Sequence, residues 1–368
     1  MLYLMIFALC YLFFWLAERS LRRKKYLSRF IFYSAISILI LCFIAGARDY
    51  SIGVDVIHYA YPNYKDALIK DISSYLSVYP KEQLYYIISY FSSQIGTSMF
   101  FYLFVNEAII LVPLAITFYK LRNRLSYSFS MLMYMLLFYN FSFCYMRQFC
   151  AVAFLVLASV LLKENKYKLY ILFSFIAFFF HSSSILFSVA FFLIRYLKKW
   201  YQTALVLIGV LVTLVLSSRV LPFLFNVGLI PIEYVDRFFA TMNNSGVNVG
   251  EFALYSILYF LPMFFAKKYL VKNDLVQYYK VSSVIGWLLV LASSLISIYF
   301  YRVTFYFRFY TIITMANCAK EVRVRGNKNR VLLYIFMLVV CLIHWWWFTV
   351  HINVEQTYPY LLRNGGIF

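Results

Sequence analysis

The chain has 368 residues, of which 64% are hydrophobic, 22% aromatic and 13% charged, with a mean hydropathy of +0.77. Soluble domains average about 45–50% apolar and about 25% charged residues, and no core of this size hides so much Phe, Tyr, Leu and Ile from water. A soluble globular protein, a disordered chain and an alternating β-barrel are excluded, which leaves an all-α polytopic integral membrane protein. The formal charge of +20 would mark a nucleic-acid surface on a soluble protein, but in a membrane protein it serves as a topology signal.

The first predicted helix, residues 2–17, carries its basic residues behind it, at Arg19, Arg22, Arg23, Lys24 and Lys25. A secretory signal carries them in front. This helix is therefore expected to be an anchor, with its start outside and the basic loop in the cytoplasm. Span 29–45 returns to the outer face, where an outer segment, 47–97, follows. Within that segment, residues 84–95 are apolar but short and are predicted to be interfacial or half-inserted. Span 98–119 goes in to Lys120, Arg122 and Arg124; 127–145 goes out; 148–162 goes in to Lys163, Lys166 and Lys168. Residues 167–199 are basic at both ends but hold only about 27 apolar residues, too few for two full spans of about 20. The spacing predicts a hairpin of two short helices turning at His181-Ser182-Ser183-Ser184, which is tolerated where helices or water surround it; a single long tilted span is the alternative and would invert every later segment. Spans 202–218, 251–266, 281–300, 303–318 and 331–350 follow, with a second outer loop at 219–250. We count about 12 membrane segments in a single transmembrane domain, 1–368.

With this topology, 24 of the 34 basic residues fall in cytoplasmic loops, with only four acids, Glu18, Glu164, Asp274 and Glu321. The other ten basic and ten acidic residues cancel. The net charge is then an orientation label, and no compact basic domain remains for nucleic acid. Seven of those ten basic residues are Arg: Arg48, Arg147, Arg219, Arg237, Arg302, Arg308 and Arg363. A guanidinium is a rigid fork of donors suited to phosphate or carboxylate. Ionisable groups at membrane depth are functional candidates by default, with snorkelling to headgroups as the simpler account.

The first outer segment opens with Arg48-Asp49-Tyr50-Ser51-Ile52-Gly53-Val54-Asp55, a turn centred on Gly53. Asp55 there is a general base, an Arg partner or a plain turn residue. His58 in the same segment reads as a solvated loop histidine. Arg147 and Gln148 sit at a tight outer turn and make a polar pair able to hold phosphate or sugar, or to anchor a helix end. His181 interrupts Phe178-Phe179-Phe180. A neutral imidazole there either accepts a proton from a sugar hydroxyl or completes a hydrogen-bonded turn. Glu233 and Arg237 have helical i, i+4 spacing, and Asn243-Asn244-Ser245-Gly246 reads as a flexible stretch beside them. The four His show no ligand spacing and the six Cys no CxxC, so no metal and no disulfide framework is expected. No phosphate-binding Gly-rich loop is present, so no nucleotide or other cofactor is expected.

Arg48-x4-Gly53-x-Asp55-x3-Tyr59, then Arg147-Gln148 after a span, His181-Ser182-Ser183, and Arg302 with Arg308 late in the chain resemble, in order, the motifs of EpsG-like proteins of the Wzy type of O-antigen and capsule polymerases. Two positions depart from the pattern: His58-Tyr59 stands where Asn-Tyr is expected, and Gly53-Val54-Asp55 where Gly-Thr-Asp is usual. The resemblance implies a GT-C-like glycosyltransferase of the bacterial inner membrane. It would join oligosaccharide units carried on undecaprenyl diphosphate, on the periplasmic or outer face. It also implies a polysaccharide chain-length regulator as a partner, beside membrane lipid; the charge distribution already argues against nucleic acid. On this reading Arg147, Arg302 and Arg308 meet the diphosphate, Asp55 or His181 takes the acceptor proton, and Arg48, Gln148 and Tyr59 support the site. The alternatives are a flippase of the same lipid-linked sugar and a membrane acyltransferase acting on the glycan.

Overall fold

A computed structural model describes the chain except at residues 1, 22–25, 97, 198, 229–231, 243–248, 267–273, 298, 322–326, 354 and 364–368. Among the described residues the regular structure is helical throughout, as the sequence predicts. The chain forms two compact units: Met1–Ser188 with Ile335–Phe368, and Val189–Tyr334.

In the first unit, α1 (Leu2–Leu21) packs on α2 (Leu27–Ala47), α2 on α6 (Phe100–Lys120), α6 on α9 (Met146–Lys163) and α9 on α10 (Tyr167–Phe180). Between α2 and α6 the first outer segment folds into α3 (Tyr61–Ile69), α4 (Ile72–Val78) and α5 (Gln83–Ser93). Helix α9 is the centre, with 83% of its apolar window buried against 22% for α1. Its Ala151, Ala153, Ala158 and Ser159 let neighbouring backbones come close, which is how helices associate where lipid offers no hydrophobic contrast. The predicted span 127–145 is instead broken at Phe138 into α7 (Tyr127–Leu137) and α8 (Tyr139–Ser142). The break lets buried polar groups find partners across the bundle: Ser142 donates to Glu107 at 2.9 Å, and Trp345 donates to Asn140 at 3.0 Å.

The hairpin around His181 is present as two short helices, α10 and α11 (Ser184–Ile194). The Tyr170 hydroxyl near the start of α10 donates to the carbonyl of Ser188 in α11, so the chain folds back at the His-Ser turn. The two ends of this unit separate groups as the charge rule does. At one end Glu18 accepts from the hydroxyls of Ser126 and Ser128, and Glu164 holds Lys120 and Lys166. At the other lie Asp49, Arg147, His181 and the C-terminal segment. That segment is strapped to the first outer turn by backbone bonds, including Asp49 N–H to Leu361 O at 2.8 Å and Gly53 N–H to Gln356 O at 3.2 Å.

The second unit contains α12 (Trp200–Val215), α13 (Ser217–Asn226), α14 (Ile232–Thr241), α15 (Val249–Ala266), α16 (Asp274–Leu295) and α17 (Tyr299–Glu321). Helices α15 and α16 both pack on α17. A Cβ at Gly286 of α16 would stand 3.0 Å from the Phe307 side chain and 3.1 Å from its backbone, so glycine lets the two helices cross closely and a side chain there would push α17 back by a few tenths of an ångström. The second outer loop expected at 219–250 carries most of α13 and all of α14; Asn243-Asn244-Ser245-Gly246 lies outside the described residues.

Among the described residues, six helices are long and apolar enough to cross a membrane: α1, α2, α6, α9, Gln277–Leu295 and Val331–His351, which holds most of α18 (Asn327–Trp345). The pair α12 and α13, bent by 85°, makes a seventh if counted as one span. Four more apolar helices are shorter: Tyr127–Leu137, Tyr167–Phe180, Ser184–Ile194 and Val249–Phe264.

Candidate active site around Glu82

The polar end of the first unit is built where three helix ends meet. Helix α9 begins at Met146, which places Arg147 in its first turn. Helix α10 ends at Phe180, and His181 follows as an extended cap whose N–H bonds the Ala177 carbonyl. Helix α5 begins at Gln83, immediately after Glu82.

Glu82 joins the three. Its Oε2 accepts from Arg147 Nη1 at 2.6 Å; its Oε1 contacts His181 Nδ1 at 2.5 Å and accepts the Ser182 N–H at 3.2 Å. The carboxylate side chain is only 6% exposed, whereas Arg147 is 34% and His181 29% exposed. The anion is sealed and its two partners reach the surface. Burial pushes the Glu82 carboxyl up, but the hydrogen bond from His181, the charge of Arg147 and the Ser182 N–H outweigh burial and hold it below its ordinary value. The backbone at Glu82 is left-handed, φ 59° and ψ 41°. That costs a non-glycine residue on the order of 1–3 kcal/mol and persists where surrounding contacts over-determine it.

Around Arg147, Nη1 also donates to the Tyr86 hydroxyl at 3.2 Å. The rings of Tyr86 and Tyr59 each lie 6.0 Å from the guanidinium, at the outer limit of cation–π attraction. Tyr86 is stacked on Tyr79 and is buried, while Tyr59 is half exposed and forms an open aromatic wall. Gln148, next in α9, is buried.

The turn that delivers Arg147 is held from below by Arg48. This guanidinium is buried, donates to Ala45 O at 2.9 Å and Phe143 O at 3.4 Å, and lies 4.1 Å over the Phe143 ring. Gly53 presses on the same turn with φ +96°; a Cβ there would stand 3.1 Å from Phe143 O and 3.3 Å from Cys144 Sγ. Asp55, half buried, precedes the π-helical turn Val56–Ala60 and lies beside Cys144, whose thiol donates to the Glu355 carbonyl. Asp55 therefore belongs to the Cys144 and C-terminal strap side of the turn. His58 is exposed.

In the second unit, Arg308 is buried within α17. It contacts Glu251 of α15 at 2.9 Å, and its guanidinium lies 5.1, 5.3 and 5.7 Å from the rings of Tyr255, Phe305 and Tyr301. Arg302, one and a half turns earlier, is exposed.

Of the residues singled out from the sequence, the structure gathers Arg147, His181 and Tyr59 at one place, with Arg48 and Asp55 flanking the turn that carries Arg147. Arg302 and Arg308 lie in the other unit. Sequence reasoning missed Glu82, Tyr86 and Glu251. One signal for the acids was present: ten outer or membrane acids match ten basic residues in number.

A polytopic helical membrane protein with an open arginine and histidine on one sealed carboxylate, at one end of a bundle, is the class these features define. The chain belongs to the EpsG family, whose profile matches residues 31–362. The family is one of membrane proteins of the polysaccharide-polymerase type. No curated protein and no solved structure matches the chain.

Proposed function

We propose that this protein is a glycosyltransferase of the bacterial cytoplasmic membrane that polymerises undecaprenyl-diphosphate-linked oligosaccharide units on the periplasmic or outer face. A polysaccharide chain-length regulator is its expected partner. The observation that carries the reading is an arginine and a histidine, both partly exposed, held on one buried carboxylate at the end of a membrane bundle of this family.

A lipid diphosphate is already an activated leaving group, so transfer needs two things from the protein. One is a cation where charge develops as the glycosyl bond breaks. The other is a base for the acceptor hydroxyl. Arg147 supplies the first. Arg308 has Glu251 as its counter-ion, and we assign it to holding α17 on α15. His181 or Asp55 supplies the base. Tyr59 offers a ring face to the sugar, and Arg48 and Gln148 hold the turn and helix that present Arg147.

The test is elongation by purified protein of lipid-linked oligosaccharide extracted from cells that lack it. The parent is expected to lengthen the glycan on its lipid, and Arg147→Ala to cut the rate by about 100-fold or more, the loss typical of removing one preorganised charge-stabilising donor. Movement of the lipid across vesicles without any longer product would replace this reading by a flippase.

A further inference from the structure

We infer that Glu82 is the positioning residue of this site: through its two oxygens it selects His181 as the group that receives the acceptor proton and sets Arg147 towards the departing diphosphate. This rests on the transferase reading.

The inference follows from hydrogen-bond chemistry. An ionised carboxylate only accepts. The contact of Glu82 Oε1 with His181 Nδ1 therefore places the ring proton on Nδ1. In a neutral imidazole that leaves the Nε2 lone pair as the one basic position, on the side of the ring turned away from Glu82. The Ser182 N–H on the same oxygen fixes the carboxylate relative to the turn. The other oxygen takes Nη1 of Arg147, so base and cation are registered by one side chain that contributes from 65 and 99 residues away in sequence. The left-handed backbone at Glu82, unusual for a residue with a side chain, is a second and independent sign that this position is held by its contacts.

The transfer balances as follows. The acceptor hydroxyl gives its proton to His181 Nε2 while its oxygen bonds the anomeric carbon. The bond from that carbon to the diphosphate oxygen breaks, and its electron pair stays on the diphosphate, beside Arg147. The imidazolium that forms is met by the carboxylate already on its Nδ1 side, in the manner of an orienting acid behind a catalytic histidine.

Glu82→Gln and Glu82→Asp in the full-length protein test this. With 15N-labelled histidine the chain gives four imidazoles to assign, and His181→Asn identifies the relevant one. The parent is expected to show His181 protonated on Nδ1 and bare on Nε2; Glu82→Gln is expected to lose that preference. Turnover on the extracted lipid-linked oligosaccharide is expected to fall at least tenfold in Glu82→Gln and to recover partly in Glu82→Asp. Binding of undecaprenyl diphosphate alone, read by tryptophan fluorescence, is expected to stay equal or tighten in Glu82→Gln, because Arg147 loses a competing carboxylate. A merely structural role would weaken binding and turnover together. The inference is overturned if the tautomer and turnover of Glu82→Gln match the parent, or if binding falls in step with turnover. If the parent holds the tautomer yet lengthens no glycan, the transferase reading fails and the positioning of His181 by Glu82 stands.

Discussion

Arg147 and Arg308 each meet a glutamate, at 2.6 Å in the first unit and 2.9 Å in the second. In the first pair the carboxylate is buried, but the arginine is a third exposed and shares its partner with a histidine. In the second, both members are almost wholly excluded from solvent, and three aromatic rings surround the guanidinium. The same ion pair thus does different things according to what else reaches the carboxylate. Sealed on all sides, it ties two helices together. Sealed on the anion alone, it presents a cation and an imidazole at the surface in fixed register. The residue type does not distinguish the two uses; burial of the arginine does.

Breaking the sealed pair should have the largest effect on folding. Glu251→Ala leaves Arg308 as a buried charge without its counter-ion and is expected to cost about 3–5 kcal/mol, read as a lower unfolding temperature in detergent. The double variant Glu251→Gln with Arg308→Met should recover most of that loss, because it removes both charges. By contrast, Arg147→Ala should stop elongation at a smaller loss of unfolding temperature than Glu251→Ala, because the arginine is a third exposed and Glu82 keeps His181 as a partner.

A smaller effect is expected on acidification. The Glu82 carboxyl is held below its ordinary value of 4.5 in the folded protein. A depressed carboxyl contributes its full stabilisation above the ordinary value and loses it as pH falls through the folded one. The parent's unfolding temperature should therefore drop on acidification below 4.5, and Glu82→Gln should flatten that limb. An unchanged limb would mean that the carboxylate is not the group holding these contacts.

The smallest effect is expected at the opposite end of the first unit. Glu164 holds Lys120 at 2.8 Å and Lys166 at 2.7 Å, but its side chain is 33% exposed. Solvent and salt screen such pairs, so Glu164→Gln should change stability by less than about 1 kcal/mol. A larger loss would make exposure a poor guide to the other two pairs.

Much of the architecture is legible in the sequence because it is local. Apolar length marks α1, α2, α6 and α9, and the basic residues after residue 17 and after residue 119 mark one end of the bundle. The turn at His181 is legible too, since a fold-back, unlike a single long tilted span, leaves the later loops obeying the charge rule. The break of 127–145 at Phe138 is not. It exists for Asn140 and Ser142, whose partners come from Trp345 and Glu107 elsewhere in the chain. The strap of 355–363 onto Asp49, Gly53 and Val54 is equally invisible, being backbone pairing across some three hundred residues.

The very apolar composition and the one-sided placement of Lys and Arg determine by themselves that this is a helical membrane protein and which ends of its spans belong together, because hydropathy and charge act on each segment independently. They also bring Arg48, Arg147 and His181 forward as candidates. Which arginine is open and which is sealed, and that Glu82 links Arg147 to His181, only the tertiary structure decided. A carboxylate chooses its partners by distance in the fold, and these three side chains are far apart along the chain.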